Sequence, residues 1–310
     1  MAPKAKVQYV GGFNCGTGLD VAMSQVLDRK LATIVSNSYG YAGDYPPDAV
    51  QVNENQHLQA AAEGIGLYFS SGDSGDESVN LPKPQPDYPA SSPWVTAVGG
   101  TTTEIAKDGS VALETGWGNH YDAVVKDTAT GALSYADPVP GDFASGAGGG
   151  VSEYYGLPWY QAGTVSASGR SVPDVAADAD PRTGELVGYR PITDDTTLAQ
   201  GPYDEVIYGG TSLASPLFAA EVALVQQSVH ATIGFANPLI YGVHSADPSL
   251  FRDVLPRFVA VAYDDQTTGE TSLVTGDQDT SLTVTPGYDT VTGLGSLSLT
   301  QLRGVWSHRR

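Results

Sequence analysis

The stretch from Leu213 to Gln227 carries one charge, Glu221, and is apolar on nearly every side of a helix. Such a helix belongs in an interior, covered on more than one face. It is entered through Gly209-Gly210-Thr211-Ser212, which follows a strand-like Glu205–Tyr208. A chain that must surround a helix needs a second layer of structure. The 310 residues, 41% of them hydrophobic, supply the material for a sizeable core in one large domain spanning 1–310. Charged residues make up only 16%, so the net charge of −20 is not that of a disordered acidic tail. A polyanion with 35 Asp and Glu against 15 Lys and Arg repels nucleic acid and anionic lipid, and neither is expected as a partner. No apolar run reaches the length of about 18 residues that spans a bilayer. Cys15 stands alone, which excludes an intrachain disulfide and a multi-cysteine zinc site.

Upstream, the pattern alternates. Lys6–Val10 reads as a short buried strand, and Gly16–Leu27 as a helix with Leu19, Ala22, Met23, Val26 and Leu27 on one face. Ala32–Ser36 reads as a β-branched strand. Asp48–Glu63 reads as a helix begun by Asp48 and stopped by Gly64, and Leu67–Ser70 as another strand. Strand and helix in alternation predict a parallel sheet with catalytic loops at the carboxyl ends of its strands. Thr101–Ile105 and Val111–Glu114 flank Lys107-Asp108-Gly109-Ser110 as a hairpin, and Phe251–Gly295 reads as acidic strand and loop.

A serine on a glycine turn at the amino end of a helix can be a nucleophile whose own amide and helix dipole stabilise an oxyanion. It can equally be an ordinary N-cap. The surroundings bear on the choice, since Tyr208–Ala220 resembles the nucleophile segment of the subtilase superfamily. None of the five histidines, His57, His120, His230, His244 and His308, sits in the His-Gly-Thr-type motif of subtilisins, and each reads as solvated or structural. The chain is more similar to the sedolisin family of serine-carboxyl peptidases, the kumamolisin-like enzymes. Ala2–Val7, Ile34–Gly40, Ser71-Gly72-Asp73-Ser74-Gly75, Tyr88–Pro93, Ala97–Thr101, Gly148–Ser152 and Val172–Ala176 follow in family order up to the serine.

That resemblance implies a subtilisin-like α/β fold, a parallel sheet flanked by helices on both faces, with a C-terminal calcium-binding loop region. It implies an endopeptidase working at acid pH through an acyl-enzyme on Ser212, with Asp73 as the protonated oxyanion stabiliser. In the family a Glu takes the serine's proton and an Asp four residues away on one helix face positions it. The only Glu-x-x-x-Asp here, Glu104 and Asp108, falls on a strand and its turn. The base is therefore expected to be encoded ahead of Met1, with a propeptide and a secretion signal upstream. The 310-residue chain is expected to lack efficient activity alone. A non-catalytic protein that binds peptides or a protein partner is the alternative. The resemblance also places peptide or protein substrate along Ser36, Ser38 and Gly40, with Asp87 in the specificity pocket and Gly149 beside the backbone of an extended peptide. Phe251–Val254 and Thr285–Gly295 resemble the family's calcium loop, with Asp253 and Asp289 as side-chain ligands and Val254, Thr285 and Gly287 as carbonyl ligands. Extracellular location is expected on the same ground.

Overall fold

The computed structural model describes residues 2–264, 269–276 and 280–297. His308 lies outside them. The first half runs α1 (Thr17–Asp28), β1 (Ile34–Asn37), α2 (Gln51–Glu63), β2 (Gly66–Ser70), β3 (Thr96–Ile105) and β4 (Val111–Gly116). Then come β5 (Gly118–Lys126), β6 (Leu133–Tyr135), β7 (Asp142–Gly146), β8 (Gly150–Gly156), β9 (Gly169–Val172) and β10 (Val175–Asp178). The last part holds β11 (Glu185–Tyr189), β12 (Ile192–Asp194), β13 (Ala199–Gln200), β14 (Asp204–Tyr208), α3 (Thr211–Val229), α4 (Asn237–Ala246), β15 (Val259–Asp264) and β16 (Thr271–Gly276).

β1, β2, β3 and β10 form a parallel sheet in that order, and β4 folds back antiparallel on β3. Side chains alternate across a strand, so β2 reports both faces of the sheet. Leu67 and Phe69 join Met23 and Leu27 of α1 and Ala60 of α2 in one cluster. Tyr68 between them joins Phe218 and Val222 of α3 in the other. Helices therefore cover both faces, as expected. Of the α1 face that the periodicity selects, Ala22, Met23, Val26 and Leu27 are buried and Leu19 is half-buried. α2 starts at Gln51, three residues after Asp48, because residues 48–50 form turns; Gly64 ends it in the left-handed conformation with φ +76°. α3 buries Ala214, Phe218, Ala219, Val222 and Val225, and lies against β1, β2, β3 and β10.

One expected element is absent. Lys6–Val10 forms no strand, and Val7 and Tyr9 are 88% and 92% exposed. Its alternating pattern becomes a strand only beside a partner that takes its backbone hydrogen bonds, and no described strand does so. The hairpin over Glu104 and Asp108 forms as read: both are exposed, and Asp108 Oδ1 accepts from Ser110 N and Oγ.

The far end of the sheet is tied to α4 by a fully buried ion pair. Arg170 Nη1 and Nη2 each donate to Asp174 at 2.6 Å, and Asp174 also accepts from Ala97 N and Tyr241 Oη. Asn237 Nδ2 and Gln161 Nε2 donate to it as well, so five residues satisfy a charge that would otherwise be costly to bury. Antiparallel strands lie outside this frame: β15, β16, β5 and β6 with β7 in one sheet, β11 with β14 and β12 with β13 in two ribbons.

Candidate active site

Ser212 is the second residue of α3 and is exposed. The turn before it requires glycine at Gly210, where φ is +80° and an added Cβ would stand 2.6 Å from Asp73 Oδ2. Four residues on, Pro216 lacks the N–H that would close a helical bond to the Ser212 carbonyl. That carbonyl accepts instead from Ser38 Oγ at 2.9 Å. The proline thus opens a link between the serine and the segment after β1. Ser36 Oγ lies 3.2 Å from Ser215 Oγ, a second link one turn further along.

Asp73 reaches the same turn from the loop after β2. Its Oδ1 accepts from Thr211 N at 2.7 Å and from Thr211 Oγ1 at 2.8 Å. Thr211 Oγ1 in turn accepts from Gly72 N at 3.1 Å. One threonine therefore binds the aspartate loop to the start of α3. Asp73 is exposed, and its Oδ2 has no hydrogen bond among the described residues. Ser212 N–H, in the first turn of α3, has no partner within the helix.

A second acidic group adjoins. Asp87 Oδ1 accepts from Gly43 N at 3.0 Å, and its Oδ2 occupies the space where a side chain on Gly72 would go. Burial, with the negative charge of Glu77 nearby, pushes the Asp87 carboxyl up to about 8. Glu77 is buried and held by Asn80 Nδ2 at 2.8 Å. Asp73 and Asp87 thus flank Gly72, and Glu77 adjoins Asp87. The sequence reading did not single out Glu77, Thr211 or Pro216. Their signals were adjacency to Asp73, adjacency to Ser212, and the i+4 spacing from Ser212.

The remaining predicted residues divide. Gly40 packs against the Tyr88 carbonyl, which also accepts from Tyr41 N at 2.7 Å, so Ser36–Gly40 bridges Ser212 and the Asp87 loop. Gly149 is buried, and the Thr290 carbonyl fills the place of its missing side chain; that contact accounts for the glycine without a bound peptide. None of the described histidines is hydrogen-bonded to Ser212, and His230 is exposed. His57 is buried against Ser92 and Glu54, His120 contacts the Gly141 carbonyl, His230 follows the last turn of α3, and His244 packs on Phe251.

Asp253, Thr285, Gly287 and Asp289 come together near the carboxyl end. Both Asp253 oxygens accept from Gly287 N, at 3.0 and 3.1 Å. Asp289 accepts from Thr285 N, Val291 N, Thr292 N and Thr292 Oγ1, and burial pushes its carboxyl up to about 6. Val254 is buried beside Asp253. Two carboxylates with peptide carbonyls on joined loops are a hard-oxygen donor set and suit calcium in kind. Among the described residues no three His, Cys, Asp or Glu side chains are grouped to hold a metal ion.

Comparison with known proteins bears on the family and the fold. The chain is 31% identical over 310 residues to kumamolisin of Bacillus sp. strain MN-32, an alignment covering 96% of this chain and 47% of that protein. It is 32% identical over 248 residues to sedolisin of Pseudomonas sp. strain 101, covering 77% and 37%. The chain thus spans less than half the length of these curated relatives. Its fold matches a solved structure of Pseudomonas sedolisin, a serine-carboxyl proteinase complexed with pseudo-iodotyrostatin, with a TM-score of 0.70 and 28% identity over 96% of this chain and 71% of that one. The subtilase-family sequence model matches residues 1–238, which is most of the chain, and the chain therefore belongs to the subtilase family, with sedolisin-type peptidases as its relatives.

Proposed function

We propose that this chain carries the nucleophile and oxyanion side of a serine-carboxyl endopeptidase site. Ser212 Oγ attacks the carbonyl of an extended peptide laid along Ser36–Gly40 and forms an acyl-enzyme. The developing oxyanion is met by Ser212 N–H, by the positive end of α3 and by a proton on Asp73 Oδ2. The observation that supports this reading is the pair of hydrogen bonds from Thr211 to Asp73 Oδ1, which leaves the other oxygen of that carboxyl at the Gly210 turn, two residues before an exposed serine. Asp87, neutral at acid pH, offers a hydrogen-bonding specificity group beside the same loop. Among the described residues no carboxylate or imidazole is hydrogen-bonded to Ser212 Oγ. The base is then a Glu–Asp pair outside them, and a carboxylate base works at acid pH.

A tripeptide aldehyde tests the site, because its hemiacetal with Ser212 is an equilibrium that needs no base. At pH 4 it binds the wild-type chain, and Ser212→Ala weakens it by tenfold or more, about 1.4 kcal/mol. Equal affinity in the two proteins, measured by calorimetry, overturns the assignment. Losing the base of such a site costs on the order of 10⁶ in turnover. The purified 310-residue chain therefore cleaves peptides poorly, and pepstatin-insensitive cleavage at pH 4 that disappears in Ser212→Ala refutes that. The want of a base beside Ser212 among the described residues also favours a second reading, a non-catalytic protein that holds peptides or a protein partner along Ser36–Gly40. Binding that persists without turnover in a chain extended upstream supports it.

We propose calcium at the carboxyl-terminal loops, with Asp253 and Asp289 as side-chain ligands and Val254, Thr285 and Gly287 as carbonyl ligands. Bound there, the ion ties the two loops together. A millimolar calcium pulse raises the melting temperature in wild type and not in Asp253→Asn; no shift in either argues against the site. An extracellular setting is part of the same proposal.

A further inference from the structure

Asp87 opens a turn that closes where its carbonyl accepts from Ser91 N at 2.9 Å. One side of this turn is locked to the segment that follows Ser36–Gly40. Tyr88 N donates to the Tyr41 and Gly43 carbonyls at 3.2 and 3.1 Å, and Gly43 N donates back to Asp87 Oδ1 at 3.0 Å. Further along, Ser91 Oγ donates to the buried Asp44 Oδ1 at 2.8 Å.

The other side is held by a second carboxylate, Glu54 of α2, whose side chain is 12% exposed. Its Oε1 accepts from Tyr88 Oη at 3.0 Å and its Oε2 from Ser92 Oγ at 3.2 Å. His57, one turn further along α2, completes the group, with Nδ1 3.2 Å from Ser92 Oγ and 3.5 Å from Glu54 Oε1. Because the Ser92 proton is directed at Glu54, the hydrogen in the His57–Ser92 contact belongs to Nδ1. Every donor in the group therefore points toward Glu54. Burial and the Glu54 charge push the Tyr88 and Tyr155 hydroxyls upward, so both stay protonated. The Tyr88 ring is fully buried and packs on Tyr45 and His57.

Glu54 thus grips the turn at both ends, at the residue after Asp87 and at the residue after Ser91. A satisfied buried polar network fixes one geometry, and a helix is a firmer support for it than a loop. We propose that Glu54 is a positioning residue for substrate selection: it holds the turn so that the Asp87 carboxyl meets a hydrogen-bonding side chain of the substrate. The proposal rests on the reading of Asp87 as the specificity group. It assigns to Glu54 the choice between substrates and not the reaction at Ser212.

The experiment uses the full chain with Ser212 in place and two tripeptide aldehydes at pH 4 that differ by one hydroxyl, one ending in tyrosinal and the other in phenylalaninal. Each is titrated by calorimetry, and the ratio of their affinities reads the hydrogen bond to Asp87. Wild type prefers tyrosinal about tenfold, and Asp87→Ala brings the ratio to within about twofold of one. Glu54→Ala lowers the ratio about fivefold or more and leaves phenylalaninal affinity within about twofold of wild type. In the Asp87→Ala background the same change leaves the ratio unaltered, because its effect passes through Asp87. Glu54→Gln, which keeps an oxygen for Tyr88 Oη, restores most of the preference. Should Glu54→Ala fail to fold, Tyr88→Phe removes the same bond from its other end and lowers the ratio likewise. Equal losses for both aldehydes in Glu54→Ala, or an unchanged ratio there beside a collapsed one in Asp87→Ala, overturns the role of Glu54 and leaves Asp87 standing. No preference in wild type, or no binding of either aldehyde, removes the reading of Asp87 and the proposal together.

Discussion

β2 and β14 are five-residue strands of similar apolar content, Gly-Leu-Tyr-Phe-Ser and Asp-Glu-Val-Ile-Tyr, and they meet opposite fates. β2 has a parallel neighbour on each edge and helices on each face, so Leu67, Tyr68 and Phe69 are all buried. β14 has one antiparallel neighbour, and Val206, Ile207 and Tyr208 remain exposed. The same letters serve stability in one place and are free for contact in the other. The difference lies in what the rest of the chain brings alongside, and hydrophobic burial stabilises only where that happens.

Substitutions widen or close this contrast. The largest effects fall in the frame. Phe218→Ala, which opens a cavity where α3 meets Tyr68, costs about 3–5 kcal/mol in urea unfolding. Asp174→Ala leaves Arg170 buried without its counter-charge and costs a similar ~3–5 kcal/mol. An effect under 1 kcal/mol in either would mean that the frame is looser than its burial indicates. Thr211→Val strands Gly72 N and one Asp73 interaction and costs about 1–3 kcal/mol, with weaker aldehyde binding as the second readout.

A pH effect follows in size. The Asp87 carboxyl stands at about 8 in the folded chain against an ordinary 3.8, and burial likewise raises Asp178 to about 7 and Glu221 to about 8. Between these values the folded state holds protons that the unfolded chain has released. Their contribution is fully present below about pH 4 and is lost as pH rises through the folded values. Asp76 works the other way, lowered to about 2 by bonds from Ser281 and Ser78, and its contribution is lost as pH falls toward 2. The melting temperature therefore falls from pH 4 to pH 8, and Asp87→Asn flattens part of that fall; a rise over the same range contradicts the assignment. Smallest of all, Ile207→Ser on the ribbon stays within about 0.5 kcal/mol of wild type, and a loss near that of Phe218→Ala would erase the contrast.

Much of the frame was legible because its signals are local. The α1 face, the glycine stop at Gly64 and the all-round apolar α3 follow from spacing and from residues that allow or forbid a conformation. Ser212 and Asp73 were singled out through motif order, which carries no distances; the structure brings both to the start of α3. Lys6–Val10 was misread because alternation describes a strand's side chains and not its partner. Glu77 was not picked out because a carboxylate in a polar loop looks solvated until the fold closes over it.

The chain's letters alone determined that α3 must be interior and that a proline at 216, once in a helix, gives the Ser212 carbonyl no N–H, since these are matters of local pattern and covalent chemistry. The tertiary structure alone decided that Ser38 takes that carbonyl, that Thr211 joins Asp73 to the serine's helix, and that one apolar strand is buried while another is bare. Contacts between residues more than a hundred positions apart depend on where the whole chain folds, and the burial that sets a carboxyl's proton affinity depends on it too.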